Sequence, residues 1–289
     1  MSGAAATAPG TAVALRHALT VDVECWYHAE NLRPVAPRGD WGRLEARVAK
    51  STDLLLDLFD RRGVKATFFV LGDAAEREPG VVRAIAARGH EVACHGWSHE
   101  LIYRQTPEVF RDETRRAKAL LEDLSGTAVT GYRASTFSIV ERSLWALDIL
   151  ADEGFLYDSS IAPVRHDRYG IPSSPRAPHL RPARGGTITE FPVSCGSFFG
   201  LRLPVGGGFF RLLPVGWTRK ALAALETPGT IYLHPWEFDP DQPRPKGLPA
   251  LNRFRHYVGV SGALGKLDAL LQALPFGPMS DVLAAFPAR

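Results

Sequence analysis

The chain is poor in sulfur, with three cysteines and two methionines in 289 residues. Cys25, Cys94 and Cys195 are odd in number and scattered, which argues against a disulfide framework and fits a reducing compartment. Charge bias is also small. Thirty-four basic and 31 acidic residues leave a net charge of +3, spread in mixed clusters such as "RDETRRAK", which argues against a dedicated nucleic-acid surface. No window approaches about 18 uninterrupted apolar residues, so no membrane span is expected. The opening "MSGAAATAPGTAVALRH" has neither a basic start nor a solid apolar stretch of the kind a cleaved signal peptide carries. A cytoplasmic location is expected on that ground. Nothing of linker composition divides the chain. The expectation is a disordered tail over residues 1–15 and a single domain over 16–289.

A repeated unit is present: amphipathic helix, glycine, apolar strand. The first helix runs through "LEARVAKSTDLLLDLFDRRG", with Leu44, Val48, Leu55 and Leu58 on one face, and "VKATFFVLG" follows as a strand. Then come "VVRAIAARG" with "HEVACH", and a helix capped by Thr106, started by Pro107 and ended by Gly126, with "AVTGYR". A fourth unit is "RSLWALDILADEG" with "FLYDSS". Alternation of this kind predicts an α/β fold, a parallel sheet covered by helices and closed as a barrel or distorted barrel. Residues 162–187 read as a long surface loop, "TITEFPVS" and "GTIYLHPWEF" as strands, and "GGGFFRLLP" as a glycine-rich turn without the spacing of a phosphate loop. "RFRHYVG" reads as a late loop, and "ALGKLDALLQAL" as the last long helix before "MSDVLAAF".

Active sites of such folds lie at the C-terminal strand ends. The residues there form a set. Asp22 and Glu24 follow "ALTV", His95 and His99 follow "EVAC", Arg133 follows "VTGY", Asp158 follows "FLY" and His234 follows "TIYL". Each has a plain structural reading alone: a wet strand end, a loop histidine, a surface ion pair, a turn acid, a core histidine. Five strands delivering these side chains to one face point to chemistry. His95 and His99, four apart, can share a metal if the segment makes a helical turn, and a carboxylate from a neighbouring strand completes a two-histidine, one-carboxylate site. Such ligands suit Zn, Co, Ni or Fe. Cys94 points to the other side of its strand from His95 and is excluded as a ligand. Asp22 and Glu24, two apart in a strand, can enter one pocket as a ligand and a free base. Arg133 is placed to pair with the base and orient it. His234 is a candidate general acid, and Asp158 a candidate for holding that histidine protonated. Trp97, Phe137, Tyr157 and Trp236 lie near these motifs and are candidates for substrate contact, or core aromatics.

The ordered motifs "TVDVE", "HGWSH", "GYRASTFSI", "YDSS" and "LHPWEFDP" resemble those of polysaccharide deacetylases with the NodB homology domain, carbohydrate esterase family 4. "GGGFFRLLP", "HPWEFDPDQPR" and "RFRHYVG" resemble the C-terminal extension (here about 240–289) of the subgroup associated with exosortase-type exopolysaccharide clusters. The resemblance implies a distorted (β/α)7 barrel, a divalent metal that is usually zinc, and hydrolysis of an N-acetyl group from an amino-sugar substrate. By position it implies that Asp22 is the base, Glu24, His95 and His99 bind the metal, Arg133 orients the base, Asp158 tunes the histidine, and His234 is the acid. Three departures stand out: Val23 separates acids that usually adjoin, Cys25 stands where the subgroup often has another acid, and Ser135 replaces the proline usual after the arginine. The rival expectations are an amidohydrolase acting on a small amide or cyclic imide, and a carbohydrate-binding barrel without turnover.

Overall fold

In the computed structural model, which describes residues 15–286 and 288, the first strand, β1 (His17–Val23), is buried along its whole length. Successive side chains of a strand alternate between the two faces of the sheet. Leu19, Val21 and Val23 therefore join the outer core beneath the helices, while Ala18, Thr20 and Asp22 face inward. Helix α1 (Val48–Arg62) leads to β2 (Thr67–Val70); α2 (Gly72–Arg77) and α3 (Pro79–Ala87) lead to β3 (Glu91–Cys94). Then follow α4 (Pro107–Ser125), β4 (Gly131–Tyr132), α5 (Trp145–Asp152) and β5 (Tyr157–Asp158). Helix α1 starts four residues later than Leu44, the first apolar position of the sequence pattern, and Gly63 ends it in the left-handed region at φ 63°. Helix α4 begins at the expected cap, where the Thr106 hydroxyl accepts from the Val109 amide.

The second half supplies β6 (His179–Ala183), β7 (Gly186–Glu190), a hairpin of β8 (Cys195–Phe198) and β9 (Leu201–Pro204), α6 (Gly207–Leu212), α7 (Val215–Ala223) and β10 (Thr230–Leu233). It ends with α8 (Ala250–Tyr257), α9 (Val260–Ala273), β11 (Phe276–Gly277) and α10 (Met279–Ala285). Three expectations are corrected here. The segment read as a loop over 162–187 contains β6, which pairs antiparallel with β7. "GGGFFRLLP" folds as α6, because its glycines let the backbone pack on Tyr232: a Cβ at Gly206, where φ is 146°, would meet the Tyr232 carbonyl oxygen at 2.3 Å. "RFRHYVG" lies mostly in α8, held by Arg211, whose guanidinium donates to the carbonyls of Arg255, His256 and Val258. The tail expected over residues 1–15 lies, except for residue 15, outside the described residues.

The sheet order is β10-β1-β2-β3-β4-β5-β7-β6, with β11 on the start of β1, and all pairs are parallel except β6 with β7. Seven parallel strands thus curve around an interior of Ala18, Phe69, Ala93, Tyr157 and Phe191, with α10 contributing Met279 and Val282. This is the expected seven-stranded parallel arrangement, and its distortion is local. No ladder joins β7 to β10 among the described residues. The chain between them fills the gap: the Ser194 hydroxyl accepts from the Thr230 amide (2.8 Å) and Gly206 bridges to Tyr232. Strands from both halves of the chain belong to this one sheet.

Candidate active site and metal centre

The strand ends converge on a pocket of about 400 Å³ whose lining includes Asp22, Glu24, His99, Phe137, His234 and Trp236. Thr20 and Asp22 bring polar groups into the barrel, and Arg133 answers them. Its fully buried guanidinium donates to Asp22 Oδ1 (2.7 Å), Thr20 Oγ1 (2.7 Å), the Ser159 carbonyl (3.1 Å) and Ser159 Oγ (2.9 Å). A buried charge is tolerated only when paired and hydrogen-bonded in this way. The Asp22 carboxylate is thereby fixed, with its second oxygen 3.9 Å from His234 Nε2.

One step along, Glu24 meets two histidines. The ligand atoms of Glu24, His95 and His99 all lie within 4.8 Å of one another, and all three residues are buried. His95 Nδ1 donates to the Arg133 carbonyl (2.8 Å), which leaves Nε2 free as a ligand atom. Burial lowers the His95 pKa to about 4, so this ring is neutral and ready to ligate. His99 Nε2 lies 2.6 Å from Glu24 Oε2, yet that oxygen accepts no hydrogen bond. A buried carboxylate oxygen left without a hydrogen-bond donor is the kind of atom a bound cation would satisfy. Burial would raise the Glu24 carboxyl, but the His99, His234 and His95 rings more than offset it and hold the group well below the usual range. Burial would likewise lower His99, and Glu24 more than offsets that, so its pKa is raised. The site favours positive charge, and the donor set fits a divalent cation.

The two-residue spacing therefore delivers Asp22 and Glu24 to one pocket, and Val23 between them turns outward into the core. The His95–His99 segment is not a helical turn. It is a bend with Gly96 at φ 76° and His99 at φ 52°, and the left-handed backbone brings the second imidazole back toward the first. Cys94 faces outward as expected, with its sulfur accepting from the Gly96 amide. Cys25 is buried too and accepts from the Arg47 amide. In the arginine motif, Thr136 and Phe137 follow Ser135 with φ of 54° and 51°, a strained turn on the pocket wall.

Asp158 does not reach His234. It sits in register with Glu190 and Tyr132 on the outer face, since Tyr157 and Ser159 hold the inward positions of that strand. It accepts from Ser160 (2.6 Å to Oγ) and shares a buried, proton-retaining pair with Glu190: burial raises both pKa values. The partner of His234 is Glu237, which sequence reasoning missed. Glu237 Oε2 lies 3.2 Å from His234 Nδ1 and accepts from the His234 amide (3.0 Å), while Oε1 accepts from buried Arg211 (2.7 Å). Burial works against the charged imidazole, but Glu237, then Glu24 and Asp22, raise its pKa to about 9. The spacing to Glu237, three residues past His234 in the quoted "LHPWEFDP", was the available signal.

Two of the four aromatic candidates line the pocket. Phe137 lies edge-on to Tyr232 (4.7 Å between ring centroids). Trp236 does so with an edge only, since His234 and His256 cover its faces at 5.1 and 4.3 Å. Its indole N–H donates to Glu24 Oε1 (2.9 Å), so it fixes that carboxylate and offers no open face for stacking. Trp97 and Tyr157 are not among the lining residues. Trp97 lies between Gly72 and the Arg116 guanidinium, 3.4 Å from the ring centroid, and Tyr157 turns down the barrel to donate to Glu91 (2.9 Å). His28 is a further missed member. Its ring stacks 6.5 Å from that of His99, held by the Cys25 amide and Asp73.

Residues 40–150, which include His95, His99 and Arg133, match the model of the polysaccharide deacetylase family. Over that stretch the chain is similar to polysaccharide deacetylases. Residues 159–284, which include His234 and Glu237, match a domain of unknown function, DUF3473. A peptidoglycan-N-acetylglucosamine deacetylase from Bacillus cereus is 34% identical over 98 residues, 34% of this chain and 36% of that protein. A peptidoglycan deacetylase from Helicobacter pylori is 36% identical over 107 residues, 37% of this chain and 36% of that one. The chain thus spans about a third of the length of these relatives. The likeness in fold extends over nearly the whole chain. A crystal structure from Mycobacterium smegmatis, described as a candidate polysaccharide deacetylase, superposes with a TM-score of 0.64 at 20% identity, covering 98% of this chain and 94% of that one.

Proposed function

We propose that this chain removes the N-acetyl group of an amino-sugar substrate by hydrolysis, releasing acetate. The observation that carries the reading is the convergence, in one pocket, of the Asp22 carboxylate, the His234 imidazole 3.9 Å from it, and Glu24 and His99, whose ligand atoms lie within 4.8 Å of that of His95. The peptidoglycan deacetylases to which the chain is similar support it. A divalent cation held by Glu24, His95 and His99, zinc by preference and otherwise cobalt, nickel or iron, would polarise the amide carbonyl and acidify a water.

Asp22 takes the proton from the attacking water, since one of its oxygens is held by Arg133 and the other faces the pocket. Arg133 acts through Asp22 and does not face substrate. His234 starts protonated, as its raised pKa allows, and gives that proton to the amine as the C–N bond breaks. Glu237 orients the ring through Nδ1 and leaves Nε2 toward the pocket. The reading is tested by acetate release from N-acetylated sugars and oligosaccharides, with and without chelator. Chelator-sensitive release that disappears in Asp22→Asn supports it; no release from metal-loaded protein refutes it.

A further inference from the structure

Eight large apolar side chains stand exposed among the described residues, and three of them, Leu212, Leu251 and Phe254, line the mouth of this one pocket. They come from α6 and α8. Two guanidinium groups line the same mouth. Arg168 bonds to the Asn31 side-chain oxygen (3.3 Å), and the exposed Arg255 side chain makes no hydrogen bond or ion pair among the described residues. Both line the same wall as the stacked rings of His166 and Tyr169, 3.9 Å apart. The nearby acids are otherwise engaged: Asp167 lies 3.0 Å from His166, and Glu30 lies 3.5 Å from Arg33 and 3.9 Å from Arg104. Neither guanidinium forms an ion pair among the described residues, at a mouth whose floor is acidic.

Exposed apolar patches rimmed by polar groups mark binding surfaces. A sugar chain would use flat aromatic faces and hydrogen-bonding groups. Two leucines offer neither and suit an aliphatic chain. Guanidinium pairs suit a phosphate, which accepts their forked N–H groups. We infer that the amino sugar is presented to this pocket on a lipid phosphate, its phosphate oxygens between Arg168 and Arg255 and the first carbons of its chain against Leu212, Leu251 and Phe254. This rests on the deacetylase reading for what happens to the sugar, but the recognition can be measured without it.

The experiment is calorimetric binding of geranyl phosphate, geraniol and inorganic phosphate to the metal-loaded protein, with Leu251→Ser/Phe254→Ser and Arg168→Gln/Arg255→Gln double variants. These side chains stand at the pocket mouth, and thermal melts verify folding. Geranyl phosphate should bind more tightly than either half alone, and each double variant should weaken it about tenfold or more. Equal binding by wild type and both variants overturns the inference. So does a concentration-dependent dimer that Leu251→Ser/Phe254→Ser abolishes while geranyl phosphate binding is unchanged. In parallel, acetate release is compared for a prenyl-diphosphate-linked N-acetyl sugar, its nucleoside-diphosphate counterpart and a neutral tetramer. The leucine-phenylalanine variant should lose at least tenfold in kcat/KM, through KM, on the prenyl substrate alone. A preference for the neutral tetramer overturns the lipid phosphate and leaves the deacetylase standing. Intact geranyl phosphate binding with no acetate from any substrate refutes the deacetylase and leaves the recognition standing.

Discussion

Glu237→Gln removes one negative charge from a buried chain of three groups, Arg211, Glu237 and His234, while keeping the shape of the side chain. His234 is held at about 9 against an ordinary 6.5, with burial acting in the opposite direction. That difference of about 2.5 units corresponds to about 3 kcal/mol in favour of the imidazolium, and Glu237 is its leading source. Loss of the charge should bring the His234 titration down by about 1–2 pH units. The alkaline limb of kcat/KM should move the same way, because the acid form is the one that protonates the leaving amine. Stability changes as well. The His234 contribution is fully present below about pH 6.5 and lost as the pH rises through about 9, and the variant keeps only the part that Glu24 and Asp22 supply. Arg211 is left buried without its counter-charge, which costs about 3–5 kcal/mol. Arg211→Met separates the two effects. It should destabilise by a similar amount but leave Glu237 free to hold the imidazole protonated, so the alkaline limb should not fall. The assays are the ring titration of His234 by NMR and the pH dependence of acetate release. An unchanged His234 titration in a folded Glu237→Gln protein would refute the reasoning.

Trp236→Phe keeps the stack between the two histidines but removes the N–H from Glu24, so metal affinity should fall about 10–100-fold with the fold intact, read by competition with a chelating dye. His95→Ala should abolish metal binding by elemental analysis, whereas Asp22→Asn should retain the metal and lose turnover. The Asp158–Glu190 pair has folded pKa values above those of the unfolded chain, so it favours folding at low pH and opposes it as the pH rises; Glu190→Gln should therefore raise Tm at pH 8, with the gain shrinking toward pH 4. Gly131→Ala should cost about 1–3 kcal/mol in urea melts, since its Cβ would lie 2.1 Å from the Tyr157 ring.

Much of this was legible in order along the chain. Apolar runs fixed β1, β2, β3 and β10, Thr106 and Pro107 fixed the start of α4, and the two-residue alternation of "TVDVE" put Asp22 and Glu24 in one pocket. The failures have physical causes. Asp158 ends a strand of only two residues, too short to reveal which face it takes, and its register with Glu190 turns it outward. Trp236 sits in a motif that is indeed at the site, but ring-on-ring packing with His234 and His256 left only its N–H for the pocket. The glycine run around Gly206 became a helix start because Tyr232, a neighbour only in space, allows no side chain there.

The sequence by itself determined the parallel βα order and the kinds of group carried at the strand ends, because strand alternation and helix capping are local rules that a short window obeys. Only the tertiary structure decided which groups touch. Arg211 and Glu237, 26 residues apart, become one buried ion pair; Glu24 and Trp236, 212 apart, become a buried hydrogen-bonded pair. These pairings depend on the closure of β10 against β1, and closure is a property of the whole sheet that no short stretch encodes.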